Sequence, residues 1–113
     1  MLTEKEEDQL AAKAAGIEID HYRGDVAMIK RINQRGQEEF VAWQPKVDDG
    51  DALRLAVKLN LSVEQWPDED GCGPYVAVDI GWSVIAHNHG SDACAATRLT
   101  IWRAAVHVGE RLA

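Results

Sequence analysis

A chain of 113 residues has the length of one domain, and its 46% hydrophobic content is ordinary for a protein that folds around a core. The net charge of −7 and the pI near 4.9 argue against broad contact with DNA, RNA or anionic lipid, which needs clustered Lys and Arg. No apolar run approaches the roughly 20 residues of a membrane span, and residues 1–7 carry charge where a signal peptide needs an apolar core. We therefore expect a single cytoplasmic domain over residues 1–113, without direct nucleic-acid or membrane binding.

The first predicted element is a helix that begins after Thr3. Glu6 stands three residues later and completes a capping box, and Gly16 is a typical helix end. Residues 17–21 form either a short edge strand or an extended connection, because the apolar pattern there is short.

A predicted antiparallel hairpin follows. Residues 26–32 and 39–43 are rich in β-branched and aromatic side chains, and the Asn and Gly of the segment between them suit a hairpin loop.

The second predicted helix has a clear start. Pro45 keeps the chain non-helical before it, Asp48 is the natural N-cap, and Asp51 stands where it completes a capping box. The pattern predicts an end at Asn60, which tolerates a left-handed conformation. Its apolar residues cover a broad arc that we expect to be mostly buried, namely Leu53, Leu55, Ala56, Val57 and Leu59.

The pattern in the last part of the chain predicts three strands followed by a long helix. The predicted strands are residues 61–66, 75–80 and 82–87. Ser91 or Asp92 caps a helix that runs nearly to the C-terminus. The order is therefore α-β-β-α-β-β-β-α, and short connections predict a mainly antiparallel sheet packed with helices, which is an α+β sandwich.

The arrangement resembles the phage ABA sandwich domain, a family of small phage and prophage proteins. The matching segments are residues 10–17, Trp43-Gln-Pro with residues 48–59, and residues 96–98 leading into 103–106 and Gly109. The resemblance implies a sandwich of helices and sheet in a phage or prophage setting, hence the cytoplasm of a bacterial host. The family has no assigned activity, so the resemblance carries no site residues or cofactor to this chain.

Three residues near the start of the last helix are candidates for metal binding. His87, His89 and Cys94, with Cys72 from the preceding loop, supply imidazole and thiolate, which are the ligands zinc accepts. Their spacing matches no established zinc motif, and without a signal sequence the cysteines are better interpreted as free thiols. A Cys94 nucleophile aided by either histidine is the corresponding enzyme hypothesis. We expect packing and loop conformation to explain these residues, and no cofactor.

Two acidic groups have simpler interpretations than a cation site. The aspartates at 48, 49 and 51 lack the spacing of a calcium loop and are explained by helix capping. The loop acids Asp68, Glu69 and Asp70 are most simply solvated, with binding of a cation or a basic partner as the lesser alternative.

Arg98 and Trp66 are the remaining candidates for binding. Arg98 falls inside the apolar arc of the last helix, where its guanidinium must either extend to solvent or find a carboxylate, and Asp79 or the 48–51 cap are plausible partners. A ligand-binding arginine is the alternative. Trp66, beside Pro67 at a strand end, is a candidate for an exposed contact patch.

Three functional hypotheses follow from the sequence. The first is a non-catalytic accessory protein that binds another protein or associates with itself. The second is a small metal-binding module or enzyme built on His87, His89 and Cys94. The third is an acidic mimic that blocks a nucleic-acid-binding surface of a host protein.

Overall fold

A computed structural model describes residues 2–67 and 73–112, and it confirms the α+β class. Within these residues, three helices accompany two three-stranded antiparallel sheets with strand orders β1-β2-β3 and β4-β5-β6. The elements are α1 (Glu4–Ala15), β1 (Ile19–Arg23), β2 (Val26–Ile32), β3 (Glu38–Trp43), α2 (Asp49–Lys58), β4 (Ser62–Trp66), β5 (Tyr75–Asp79), β6 (Val84–Asn88) and α3 (Ala93–Leu112).

The topology differs from the predicted order in two ways. The uncertain segment after α1 is a strand, β1, which starts two residues later than expected and pairs with β2. The strands also form two separate sheets rather than one. A helix followed by a three-stranded meander therefore occurs twice in the chain, and α3 comes after both.

The helix starts follow the predicted caps. Thr3 and Glu6 form a complete capping box, and the Asp48 and Asp92 carboxylates accept from the N–H groups of Asp51 and Ala95, respectively. The prediction that Asp51 completes a capping box with the backbone of Asp48 is wrong. The Asp51 carboxylate instead accepts from the N–H of Gln44, which fixes the chain before α2.

The long helix α3 is the centre of the core. It buries residues on several sides, including Ala104, Ala105 and Val106, because α1, α2 and the second sheet all pack against it. The first sheet contributes Ala27 and Trp43 to the core, and the ring centroid of Trp43 lies 5.8 Å from that of Trp102 on α3.

The contact between α1 and α3 depends on small residues. Ala11, Ala12 and Ala15 are buried on α1, and Gly109 is buried on α3. A Cβ built at Gly109 would lie 2.0 Å from the backbone oxygen of Leu10, so the two backbones meet where no side chain fits.

The helix α2 is less buried than its apolar arc predicts. Ala52, Leu55 and Ala56 are buried, but Leu53 is 64% exposed and Val57 is 71% exposed.

Among the helices of the described residues, none is long and apolar enough to cross a membrane.

Candidate protein-binding groove beside strand β4

An apolar groove of about 470 Å³ runs between α2 and β4 over the first turns of α3. This volume is within the range of about 300–1,000 Å³ that is typical of ligand-binding clefts. Alanine and aliphatic side chains dominate the lining, which comprises Asp49, Ala52, Leu53, Ala56, Val63, Gln65, Ala93, Cys94, Thr97, Arg98 and Ile101. The groove therefore brings the exposed Leu53 together with two residues that sequence analysis singled out, Cys94 and Arg98.

The hydrogen bonds between β5 and β6 establish which way each β5 residue points. His89 N–H donates to the carbonyl of Pro74, and Ile80 N–H donates to the carbonyl of Ser83. Backbone groups alternate in direction along an antiparallel strand. The even-numbered residues of β5 therefore bond β6, and its odd-numbered residues bond β4.

The same alternation continues into β4. Its register pairs Ser62, Glu64 and Trp66 with the odd-numbered residues of β5. Those three residues point their backbone groups into the sheet, so Val63 and Gln65 point theirs away from it. Val63 and Gln65 also line the groove, so two N–H and two C=O groups point outward from the sheet edge that borders it.

Neither residue that flanks this free edge offers an unpaired N–H group. Leu61 N–H donates to the carbonyl of Ala56 on α2, and Pro67 has no N–H to offer. Within residues 2–67 and 73–112, no hydrogen bond beyond the β4–β5 ladder reaches the backbone of Val63 or Gln65. The unpaired edge is therefore short and lies within the groove.

The opposite face of the second sheet carries an aromatic stack. The rings of Trp66 and Tyr75 are nearly parallel, at 6° and 6.0 Å between centroids, and Trp66 is 42% exposed. Trp66 is therefore exposed, and its place in a contact patch stays a prediction. Glu64 lies beside Trp66 on the same face, two residues along β4.

Arg98 has a structural partner at the rim of the groove. Its Nη1 lies 2.6 Å from Oδ1 of Asp49, and its Nε donates to the carbonyl of Lys46. Of the partners predicted from sequence, the α2 cap region is the one used. These bonds tie the start of α2 to α3 and hold one wall of the groove against its floor.

A polar network holds the β4 side of the groove. Gln65 Nε2 donates to Oγ1 of Thr97, whose hydroxyl donates to the carbonyl of Ala93. The Oε1 atom of Gln65 accepts from Nε2 of His89 at 2.7 Å. His89 therefore positions a groove residue through a hydrogen bond.

His87 is held by a buried hydroxyl on α3. Thr100 donates its only hydroxyl hydrogen to the carbonyl of Ala96, so Nδ1 of His87 must be the donor in the 3.1 Å bond to Thr100. Burial, assisted by the charge of Arg103, lowers the pKa of His87, which is therefore neutral near neutral pH.

Among the described residues, His87, His89 and Cys94 do not come together as a metal site. His87 and His89 bond Thr100 and Gln65, respectively, and Cys94 is a free, exposed thiol on the groove. Within the part of the chain that is described, no three His, Cys, Asp or Glu side chains are close enough to hold a metal. Cys72, together with the loop acids Asp68, Glu69 and Asp70, lies outside the described residues.

Asp8 on α1 is a partly buried carboxylate that was not among the residues predicted from the sequence. It lines a small cavity of about 80 Å³ with Trp43, Trp102 and Lys46. Burial raises the pKa of Asp8 to about 6 against the opposing attraction of Lys46. A signal was present, since Asp8 stands three and four residues before the buried Ala11 and Ala12 and so shares their face.

Comparisons of the chain with protein-family models, curated proteins and solved structures found no match. The resemblance to the phage ABA sandwich domain therefore stays a prediction.

Proposed function

We propose that this protein is a non-catalytic binding module that takes an extended segment of another protein along the free edge of β4. The observation that carries the proposal is the coincidence of an unpaired strand edge with an apolar groove. The backbone of Val63 and Gln65 offers hydrogen bonds, and the groove offers contact for side chains. Addition of a strand to a sheet edge is a recurring mode of peptide recognition that uses these two components together.

The walls of the groove support this mode of binding. The edge of β4 forms one wall, α2 forms the other, and α3 forms the floor. The Arg98–Asp49 pair and the Gln65–Thr97 bond fix both walls to α3. A groove held in this way loses little conformational entropy on binding, which favours affinity.

The exposed side chain of Leu53 also fits a binding role. A large aliphatic group that borders a groove contributes apolar contact when a partner covers it. In the phage or prophage setting implied by the resemblance, such a module would act as an accessory protein in the cytoplasm of the bacterial host.

The test is a selection from a random peptide library, followed by remeasurement on a matched pair of variants. Leu53 and Val57 are both exposed aliphatic residues on α2, but only Leu53 lines the groove. We expect Leu53→Glu to weaken the selected peptides about tenfold or more, because it places a charge against buried apolar contact. Val57→Glu should change affinity less than about twofold.

The position of the peptide is measured through Cys94. In a Cys72→Ser background, a bound peptide should slow alkylation of the Cys94 thiol, which faces the groove. A variant with Cys94→Ser and Ser83→Cys carries its thiol on the exposed β5–β6 turn and should show no protection. Equal effects of the two α2 substitutions, or no protection of Cys94 by any selected peptide, would refute the proposal.

A further inference from the structure

The charge beside the free edge indicates which kind of strand it accepts. We propose that the partner strand is basic, with a Lys or Arg directly opposite Glu64 and small apolar residues on either side of it. This inference rests on the proposed function, because it assumes that a strand pairs with β4.

The pairing geometry assigns the positions. A strand that bonds antiparallel to Val63 and Gln65 places one residue between those two pairs, directly opposite Glu64, at about 4.5 Å between Cα atoms. That residue points to the face that carries Glu64 and Trp66. Its two neighbours point the other way, into the groove.

The described residues of β4, β5 and β6 place only negative charge on that face. Of the Asp, Glu, Lys and Arg residues in these strands, only Glu64 and Asp79 lie on it. Glu64 forms no ion pair among the described residues. Opposite charges on directly paired residues stabilise a sheet, whereas like charges destabilise it.

The indole of Trp66 adds to this preference. Trp66 lies diagonally from the position opposite Glu64, within reach of a long side chain. A Lys or Arg stem can therefore pack on the exposed edge of the Trp66–Tyr75 stack while its charge meets the Glu64 carboxylate.

The same geometry disfavours a second copy of the chain as the occupant. If two β4 edges paired antiparallel and used all their free groups, Val63 of each copy would pair with Gln65 of the other. Glu64 would then lie directly opposite its own equivalent, and both proteins carry a net charge of −7. The occupant is therefore a different, positively charged segment.

The experiment uses three seven-residue peptides, acetylated and amidated at their ends, of sequence Ser-Thr-Val-X-Val-Thr-Ser with X as Lys, Gln or Glu. The two Val residues are placed to enter the groove, and X is placed opposite Glu64. Affinity is measured by protection of Cys94 from alkylation in the Cys72→Ser protein. We expect the Lys peptide to bind about three- to tenfold tighter than the Glu peptide.

Substitution at Glu64 supplies the control. Glu64→Lys should reverse the order of the Lys and Glu peptides, and Glu64→Gln should make them nearly equal. Asp79→Asn, on the same face but on β5, should leave the order unchanged and retains an oxygen for the bond from Gly81 N–H.

Other outcomes overturn the inference in distinguishable ways. If all three peptides bind equally and Leu53→Glu weakens each of them, strand binding stands and the preference for a basic residue is wrong. If none protects Cys94, the inference fails, and the library selection decides whether strand binding fails with it. If the protein instead forms a dimer in which Cys94 is protected, the occupant is a second copy.

Discussion

The two halves of the chain have the same order of elements but differ in the regularity of the edge strand that borders each groove. In the first half, α1 and β1 border a groove of about 650 Å³, and in the second half α2 and β4 border one of about 470 Å³. The edge of β1 is interrupted, because its register with β2 shifts between Ile19 and His21. The register of β4 with β5 continues without a shift from Ser62 to Trp66.

A bulge in an edge strand protects a sheet from pairing with another chain. Asp20 is the extra residue at the shift, and it also places a charge there. The larger groove therefore lies beside the edge that is less able to accept a strand. Under the proposed function, a regular backbone rather than groove volume distinguishes the edge that would accept a strand.

Stability should depend most strongly on the close contact between α1 and α3. Gly109→Ala forces α1 away from α3, because the new Cβ overlaps the backbone of Leu10, and should lower the free energy of unfolding by about 3 kcal/mol. Gly50→Ala on α2 is the matched control, since its Cβ meets only movable side-chain atoms of Arg54 and Asp48 at 3.2–3.3 Å. Chemical denaturation measures both, and equal stability of the two variants would contradict the role assigned to Gly109.

The next effect concerns Asp8, at the contact of α1 with the core. Burial raises the pKa of Asp8 from 3.8 to about 6, so the folded state binds the proton more tightly than the unfolded state. The resulting stability is fully present below the unfolded pKa and is lost as pH rises through about 6.

Replacement of Asp8 tests whether its carboxyl lowers stability as the pH rises. Asp8→Asn removes a desolvated charge and should stabilise the protein near neutral pH by about 1–2 kcal/mol, after allowance for partial exposure. The difference should shrink towards about pH 4, where the native carboxyl is protonated. Denaturation at both pH values measures it. A variant that is less stable near neutral pH would show that attraction to Lys46 outweighs burial.

A deletion can convert the first edge into a copy of the second. Removal of Asp20 leaves Ile19 and His21 on the faces they now occupy and makes the β1 register continuous. We expect the deletion variant to associate through β1 in sedimentation velocity, whereas Asp20→Asn, which keeps the bulge, should not. Monomeric behaviour of both variants would show that the bulge is not what protects this edge.

The smallest effect is expected at His87, in the second half. Burial lowers the pKa of His87, so the unfolded state binds the proton more tightly than the folded state. This histidine therefore opposes folding as pH falls below its ordinary value of 6.5, which is the opposite of the trend at Asp8. His87→Gln should reduce the loss of stability between neutral and mildly acidic pH, as measured by denaturation. An unchanged pH dependence would exclude His87 as a contributor.

Local sequence signals predicted the helix ends well, because the atoms involved are close in sequence. Thr3, Asp48 and Asp92 all cap as expected, and Asn60 adopts the predicted left-handed conformation at φ 54°. The partner of Arg98 was also predicted among the residues of the α2 cap.

The groove was not predictable, because it depends on contacts between distant elements. The apolar arc of α2 predicted burial of Leu53 and Val57, but α3 covers only the Ala52, Leu55 and Ala56 side. The division of the strands into two sheets likewise depends on where α3 packs, and hydrophobic alternation within a strand carries no information about that.

Residue-resolved amide hydrogen exchange, with and without a bound peptide, would show directly whether the edge of β4 accepts a strand. In the free protein, the amides of Val63 and Gln65 should exchange fast while those of Glu64 and Trp66 are protected by β5. On binding of a selected peptide, the Val63 and Gln65 amides should become protected. If they are already protected in the free protein, or stay unprotected in the complex, β4 does not accept a strand and the account is wrong.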